Sequence, residues 1–163
     1  MLLLISDANI LIDMEAGELM ETLFQLPMQF AIPDVLYWEE IQPGRPDLEK
    51  LGLRVLEVNG EHVVYAFGLS EKYGPGPSRN DCLALALAKQ EACPLLTGDH
   101  ALRWAAEQEE VAVMGSIWLL EEMVNSHLLN VDQALSALNL MRKRKRRLPW
   151  AKAEHVLKSA RRN

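Results

Sequence analysis

Short apolar runs alternate with longer helix-like segments along the chain, and this alternation limits the possible folds more than any other feature. The runs are LLLIS at 2–6, MQFAI at 28–32, LRVLEV at 53–58, PLLT at 94–97 and VAVM at 111–114. Strands that are apolar on both faces are typical of a parallel sheet with helices on each side. The pattern therefore predicts a three-layer α/β/α domain with a five-stranded, largely parallel sheet.

The segments between these runs predict helices, with Asp34 and Ser78 as helix caps. The predicted helices cover 16–26, 34–41, 61–73, 79–92, 100–109, 117–126, 131–147 and 150–162. A chain of 163 residues is about the size of one domain and can bury a core without disulfides.

Four acidic residues lie near the predicted carboxyl ends of strands, where parallel sheets usually bind ligands. Asp7 follows the first strand and Asp99 the fourth, while Asp81 lies in the first turn of the 79–92 helix. Glu40 lies just beyond the second strand, and its neighbour Glu39 remains an alternative because the helical phase of so short a segment does not decide between them. Ligands bind outside the carboxyl ends of such strands, so we expect these side chains to converge.

Carboxylates that lie close together raise one another's pKa values, and burying them together is unfavourable unless a cation neutralises their charge. Mg²⁺ and ions like it accept oxygen ligands from a few carboxylates and can activate water for phosphodiester hydrolysis. Each acid also has a simpler interpretation by itself. Asp7 and Asp99 could be helix caps, Asp81 a first-turn acid and Glu40 a solvated helix residue.

Charge is divided very unevenly along the chain. Residues 142–163 carry ten basic residues and one acid, a net charge of +9, whereas residues 1–141 carry 7 basic and 22 acidic residues, a net charge of −15. The basic segment 142–163 begins with a run of six basic residues, which are Arg142, Lys143, Arg144, Lys145, Arg146 and Arg147. We expect this run to contact RNA phosphates, and the alternative is contact with the acidic surface of the body or of a partner.

No apolar stretch is long enough to span a bilayer, and MLLLISD has no basic region typical of a signal peptide. Two cysteines suggest no disulfide framework. The sequence thus predicts a cytoplasmic protein without membrane contact.

Several segments resemble motifs of the PIN-domain family, and specifically its prokaryotic VapC-like ribonuclease branch. They are the first strand with Asp7-Ala8-Asn9, then IPDVLYWEEI with Glu40, and RNDCLALALAKQEACPLLTGDHALR with Asp81 and Asp99. The resemblance covers about residues 1–125. It assigns residues 1–128 to a PIN-like nuclease domain and leaves 129–163 as a basic helical extension.

The resemblance implies a metal-dependent endoribonuclease in which Asp7, Glu40, Asp81 and Asp99 hold Mg²⁺ or Mn²⁺. It further implies that Asn9 and Thr97 orient the carboxylates by hydrogen bonds. Gly98 departs from the family pattern, which often has a charged residue before the last acid. The implied substrate is RNA, and the branch leaves open a toxin–antitoxin role with a small antitoxin protein, as well as a homodimer.

Two alternatives remain open. One is a catalytically silent PIN-like module that only binds RNA or a protein. The other is a phosphatase that uses Asp7 as a nucleophile, although that chemistry usually needs a second acid two residues later, where this chain has Asn9.

Overall fold

The computed structural model describes residues 1–160, and its strands form one five-stranded sheet. The strands are β1 (Leu2–Ser6), β2 (Met28–Pro33), β3 (Arg54–Leu56), β4 (Leu95–Leu96) and β5 (Val113–Met114). Their order is β3-β2-β1-β4-β5, and every neighbouring pair is parallel. The predicted five-stranded parallel sheet is confirmed.

Helices occupy the connections and cover the sheet. They are α1 (Ala8–Ala16), α2 (Met20–Leu23), α3 (Asp34–Leu36), a π-helical turn (Tyr37–Ile41), α4 (Leu48–Leu51), α5 (Gly60–Tyr73), α6 (Arg79–Glu91), α7 (His100–Gln108), α8 (Ser116–Asn125), α9 (Val131–Lys143) and α10 (Trp150–Ala160). Helix α6 packs on β1, β2 and β4 and is flanked by α5 and α7, whereas α1, α8, α9 and α10 pack against one another as a second group. This arrangement agrees with the predicted three-layer α/β/α architecture.

Strand β1 lies at the centre of the sheet and places two functional positions side by side. Ser6 at its carboxyl end pairs with Leu96 of β4, so Asp7 and Thr97 follow their strands at the same level. The backbone N–H of Asp7 donates to the carbonyl of Leu96, which extends this pairing by one residue. The sheet therefore fixes the relative position of these two residues.

The helix predicted over 16–26 is wrong, because the chain forms α1 directly after Asp7 and ends it before Gly17. The Asp7 carboxylate accepts a hydrogen bond from the N–H of Ile10, which is the contact of a helix N-cap. Gly17 lies against Met141, and a Cβ at this position would be 2.7 Å from the Met141 methyl carbon. A side chain at this position would require the end of the Met141 side chain to shift.

Other predicted boundaries also shift. Asp34 is the first residue of α3 instead of its cap, and its carboxylate accepts from the N–H of Val35. Ser78 caps α6 as predicted. The helix predicted over 131–147 ends at Lys143, and Lys145 adopts a φ of 63° that interrupts any continuation.

The basic C-terminal part of the chain packs on the rest of the molecule. In α9 the side chains of Ala134, Leu138 and Met141 are buried in the core, as are Ala153 and Leu157 of α10. Residues 161 and 162 of the predicted last helix lie outside the described residues. The division into 1–128 and 129–163 stays a prediction.

Two further expectations concern membrane-spanning helices and disulfides. Within residues 1–160, none of the helices combines the length and the apolar character that crossing a membrane requires. Cys82 and Cys93 are free thiols.

Glu109, which directly follows α7, joins that helix to α5. Its carboxylate accepts hydrogen bonds from the hydroxyls of Tyr65 (2.6 Å) and Tyr73 (2.5 Å) and from the Lys72 ammonium (2.9 Å). These donors, Tyr65 first, lower the pKa of Glu109 to about 2. Because the carboxylate is bonded only in the folded state, its charge stabilises the fold above the ordinary pKa near 4.5, and this contribution is lost as pH falls toward 2.

We expect Glu109→Gln to lower the free energy of unfolding at pH 7 by about 1–3 kcal/mol, because the amide group would face hydroxyl and ammonium donors with its own N–H groups. Urea unfolding at pH 7 measures this loss, and the difference from wild type should shrink at pH 2.5. Glu107→Gln, an exposed change in α7, is the matched control and should have little effect. Equal stability of the two variants would contradict the role assigned to Glu109.

Candidate functional site

Asp7 is a fully buried carboxylate at the centre of the sheet's carboxyl edge. One oxygen accepts from the backbone N–H of Ile10 at 3.0 Å, and the other accepts from the hydroxyl of Thr97 at 2.5 Å. Both donors are neutral, and no lysine or arginine of residues 1–160 forms an ion pair with this carboxylate. The charge of Asp7 is thus oriented by the fold but not compensated by it.

Burial raises the pKa of Asp7 to about 7, above the ordinary value of 3.8. The hydrogen bonds from Thr97 and Ile10 oppose this rise, whereas the nearby charges of Asp81 and Asp13 add to it. The structure therefore brings Asp81 close to Asp7, as the positions of the two acids in the sequence predict. Such a shift in a group with carboxylate neighbours is frequent at functional sites.

Asp81 and Asp99 are each fixed by the start of a helix. Asp81 accepts from the N–H of Ser78 at 3.0 Å while the Ser78 hydroxyl accepts from the N–H of Asp81, a reciprocal capping box at the start of α6. Asp99 caps α7 through a 2.8 Å bond from the N–H of Leu102. In each acid the second carboxylate oxygen accepts no hydrogen bond within residues 1–160, so each retains an acceptor beyond its capping role.

The Thr97 hydroxyl links two of the acids. It donates to the Asp7 carboxylate and accepts from the backbone N–H of Asp99 at 3.0 Å. This geometry suits the orienting role that the family resemblance implies for Thr97. It also fixes the backbone of Asp99 next to Asp7.

Glu39 and Glu40 both contact Asn80, the residue before Asp81. The amide nitrogen of Asn80 donates to Glu40 at 2.8 Å and to Glu39 at 3.0 Å, and Glu39 also forms an ion pair with Arg79 at 3.0 Å. Glu40 has no cationic partner within residues 1–160. Both glutamates are exposed, and the difference in pairing leaves Glu40 the more available oxygen ligand.

The described contacts connect the four predicted acids only in part. Among residues 1–160, no group of three or more histidine, cysteine, aspartate or glutamate side chains is arranged so that it could hold a metal ion. The contacts bring Asp81 and Asp99 to Asp7, and Glu40 is reached only through Asn80.

Asp13 belongs to this region and is missing from the sequence prediction. It is 5% exposed, and its carboxylate accepts from the Ser116 hydroxyl at 2.8 Å and from the Arg146 guanidinium at 2.7 Å. Asp13 lies four residues after Asn9, a spacing that places both residues on one face of α1. This spacing is the one feature of the sequence that could have indicated Asp13 as a site residue. Its partners lie 103 and 133 residues away, so the sequence could not identify them.

Asn9 does not hydrogen-bond a carboxylate, contrary to the predicted orienting role. Its side-chain oxygen accepts a long, 3.3 Å bond from the Arg146 guanidinium, and its side chain is otherwise exposed. The cause is α1, which begins immediately after Asp7 and turns Asn9 toward the C-terminal segment.

The predicted RNA-contacting run is not a free basic arm. Arg146 pairs with Asp13, and Arg144 donates to the carbonyl of Ala16 at 2.9 Å and to Glu18 at 3.4 Å. The contacts of these two arginines match the alternative in which the run folds back on the acidic body. The other four residues of the run, Arg142, Lys143, Lys145 and Arg147, are exposed and form no ion pair within residues 1–160, and Arg142 lies near the ring of Trp150.

The donor chemistry of the edge fits a hard divalent cation such as Mg²⁺ or Mn²⁺. Asp7, Asp81 and Asp99 form no ion pair within residues 1–160, and the side-chain oxygen of Asn80 is buried with no hydrogen-bond partner in the same residues. Mg²⁺ is held in many proteins by only one or two carboxylates and completes its shell with water. The residues therefore suit such an ion although they form no three-ligand cage.

The raised pKa of Asp7 predicts how stability depends on pH in the metal-free protein. In the folded state Asp7 keeps its proton up to about pH 7, whereas in the unfolded state it loses the proton near pH 3.8. The free energy of unfolding should therefore fall as pH rises between these values. The largest slope from one such group is about 1.4 kcal/mol per pH unit.

Urea unfolding of chelator-treated protein between pH 4 and 8 measures this dependence. Asp7→Asn should flatten the profile, whereas Glu57→Gln, which changes an exposed acid directly after β3, should keep the wild-type slope. An unchanged slope in Asp7→Asn would show that Asp7 does not titrate as its burial requires.

Comparison with known proteins agrees with this geometry. The comparison with curated proteins returned no match. A family model described as a PIN domain matches residues 3–162. PIN domains are typically nucleases that act on nucleic acids and use divalent metal ions. The match spans almost the entire sequence, including the basic C-terminal helices, and the chain therefore belongs to the PIN-domain family.

Proposed function

We propose that this protein is a metal-dependent endoribonuclease that hydrolyses RNA phosphodiester bonds. Asp7, Asp81, Asp99 and Glu40 would hold Mg²⁺ or Mn²⁺, directly or through water. The observation that supports this proposal is the burial of Asp7 beside Asp81 with no cationic side chain paired to it. A cation that binds there removes a cost that the fold itself leaves uncompensated.

A divalent ion held by these acids would act as a Lewis acid on a phosphoryl oxygen and would lower the pKa of water bound to it. The protein contributes rigid acceptors. Thr97 and the N–H of Ile10 hold Asp7, the N–H of Leu102 holds Asp99, and Ser78 holds Asp81. Because these acceptors are fixed before the substrate arrives, little reorganisation is needed during the reaction.

A more specific form of the proposal is a VapC-like toxin with a small antitoxin protein as its partner. It rests on the order of the motifs around Asp7, Glu40, Asp81 and Asp99 and on nothing else in the chain. A short reading frame that overlaps the start of the gene, and whose product binds and inhibits this protein, would support it. A gene that stands alone would remove the basis for the toxin role.

A silent binding module is the competing function. It is favoured by the lack, within residues 1–160, of a group of three acidic or other ligating side chains. The two functions differ in one measurement, which is whether RNA is cut when Mg²⁺ or Mn²⁺ is added.

We expect Asp7→Asn and Asp99→Asn each to abolish Mn²⁺-dependent cleavage of RNA without unfolding the protein. Glu40→Gln should reduce the cleavage rate far more than Glu39→Gln, because Glu39 already has an arginine partner. Thr97→Val, which keeps the shape but removes the hydroxyl bonded to Asp7, should reduce the rate about 10–100-fold. Gel assays with purified variants measure these rates. Full activity in both aspartate variants would refute the assignment.

Metal binding should also appear as a change in stability. A ligand that binds only the folded state at 100 times its dissociation constant stabilises it by about 2.7 kcal/mol, so millimolar Mn²⁺ should raise the melting temperature. The Asp7→Asn/Asp99→Asn variant should lose this response, and Glu57→Gln/Glu107→Gln, with the same loss of charge, should keep it. If wild type shows no shift at concentrations that support cleavage, the shared site is excluded.

A further inference from the structure

A large cleft opens beside the acidic edge, between the starts of α7 and α8 on one side and the segment that leads into α10 on the other. Its volume is about 840 Å³, within the range of about 300–1,000 Å³ that is usual for ligand pockets. Thr97, which holds Asp7, lies in its wall together with Asp13. The cleft is therefore continuous with the carboxylate site.

Three basic side chains line the cleft and have no partner of their own. They are Arg103 of α7, Arg147 from the basic run and Lys152 of α10. None of them forms an ion pair or a side-chain hydrogen bond within residues 1–160, whereas Arg144 and Arg146, close by in sequence, are bonded to the body. In a chain with a net charge of −6, three unpaired cations around one cleft mark it as a site for an anion.

The acids of the cleft do not cancel this charge. Asp13 is ion-paired with Arg146 and also bonded by Ser116, so the pair adds no net charge at the floor. Glu121 is the other acid in the lining. Three cations therefore face one unpaired acid, and the potential inside the cleft is positive next to the negative carboxylate edge.

Much of the rest of the lining is apolar and includes an aromatic ring. Trp118 and Ile117 of α8 line the cleft together with Leu148, Pro149 and Val156. Unpaired bases stack on such surfaces, whereas the bases of a duplex are turned inward and cannot reach them. Positive charge together with an apolar aromatic wall suits a single strand better than an isolated phosphate or a duplex.

We propose that this cleft binds single-stranded RNA next to the cleavage site, with Arg103, Arg147 and Lys152 contacting its phosphates and the Trp118 wall contacting its bases. The inference rests on the proposed ribonuclease function and names the part of the chain that would hold its substrate. It assigns to the C-terminal segment two functions. Arg146 neutralises the cleft floor, and Arg147 and Lys152 supply charge to the strand.

The test measures binding apart from cleavage. A fluorescein-labelled single-stranded RNA of about 15 nucleotides is titrated with the full chain in EDTA, and affinity is followed by anisotropy at several salt concentrations. The Arg103→Gln/Arg147→Gln/Lys152→Gln variant should bind at least about ten-fold more weakly, and the slope of log affinity against log salt should fall by about 2, or about 0.7 for each lost phosphate contact.

The matched control removes equal charge at exposed lysines outside both the cleft and the run 142–147. Lys50→Gln/Lys89→Gln/Lys158→Gln should retain the wild-type slope and nearly the wild-type affinity. Because Arg103 is half-buried, Arg147→Gln/Lys152→Gln, which changes only exposed residues, serves as a second variant and should lower the slope by about 1.4.

Equal weakening by the two triple variants would overturn the proposal, since only overall charge would then matter. Unchanged RNA binding in the cleft variants would also overturn it and would leave the cleft to an acidic protein segment. Preferred binding of a duplex of the same sequence would contradict the role of the apolar wall. Because EDTA prevents metal-dependent cleavage, loss of binding and loss of ribonuclease activity are separate results.

Discussion

The structure depends on a carboxylate that is buried at the end of the central strand without a cation to neutralise it. Asp7 is held by one backbone N–H and one hydroxyl, and its surroundings raise its pKa to about 7. An uncompensated charge in such a place is costly. The cost explains why the acid is surrounded by fixed donors and why a divalent cation is the simplest partner for it.

Helix starts set the geometry of this edge. Asp7, Asp81 and Asp99 each accept hydrogen bonds at the first turn of a helix, so the contact that begins the helix also fixes the carboxylate. The simple interpretation of these residues as capping or first-turn acids and the functional one are therefore compatible. Each acid uses one oxygen for the helix, and Asp81 and Asp99 retain the other. The parallel sheet brings these starts together because β1 and β4 are neighbours.

The sequence predicted the sheet and α6 well because their signals are local. Each strand is a short apolar run, and the Ser78 cap precedes the regular apolar face of α6. The sequence prediction failed at α1. The apolar residues after Asp7 continue those of β1, so the change from strand to helix is not visible in the apolar pattern. Only the cap itself marks this boundary, and an aspartate that follows a strand can equally belong to a turn or a loop.

The sequence indicates which acids are candidates for the site but not what surrounds them. Position relative to the strands and helices pointed to Asp7, Glu40, Asp81 and Asp99, and the resemblance added Asn9 and Thr97. The ion pair of Asp13 with Arg146 joins residues 133 positions apart, and no local sequence pattern predicts such a contact. For the same reason the sequence does not distinguish the members of the run 142–147, although in the fold Arg144 and Arg146 bond the body, Arg147 lines the cleft and the others are exposed.

The contact between Asp13 and Arg146 also has a consequence for the order in which the protein is made. A ribosome that has just incorporated Asp13 must add 133 more residues before Arg146, its ion-pair partner, is part of the chain. The strands, the acids of the edge and α9 are all synthesised before that point, whereas the floor of the cleft is not yet neutralised. Formation of a complete binding surface is therefore delayed until late in translation, after the sheet itself can already have formed.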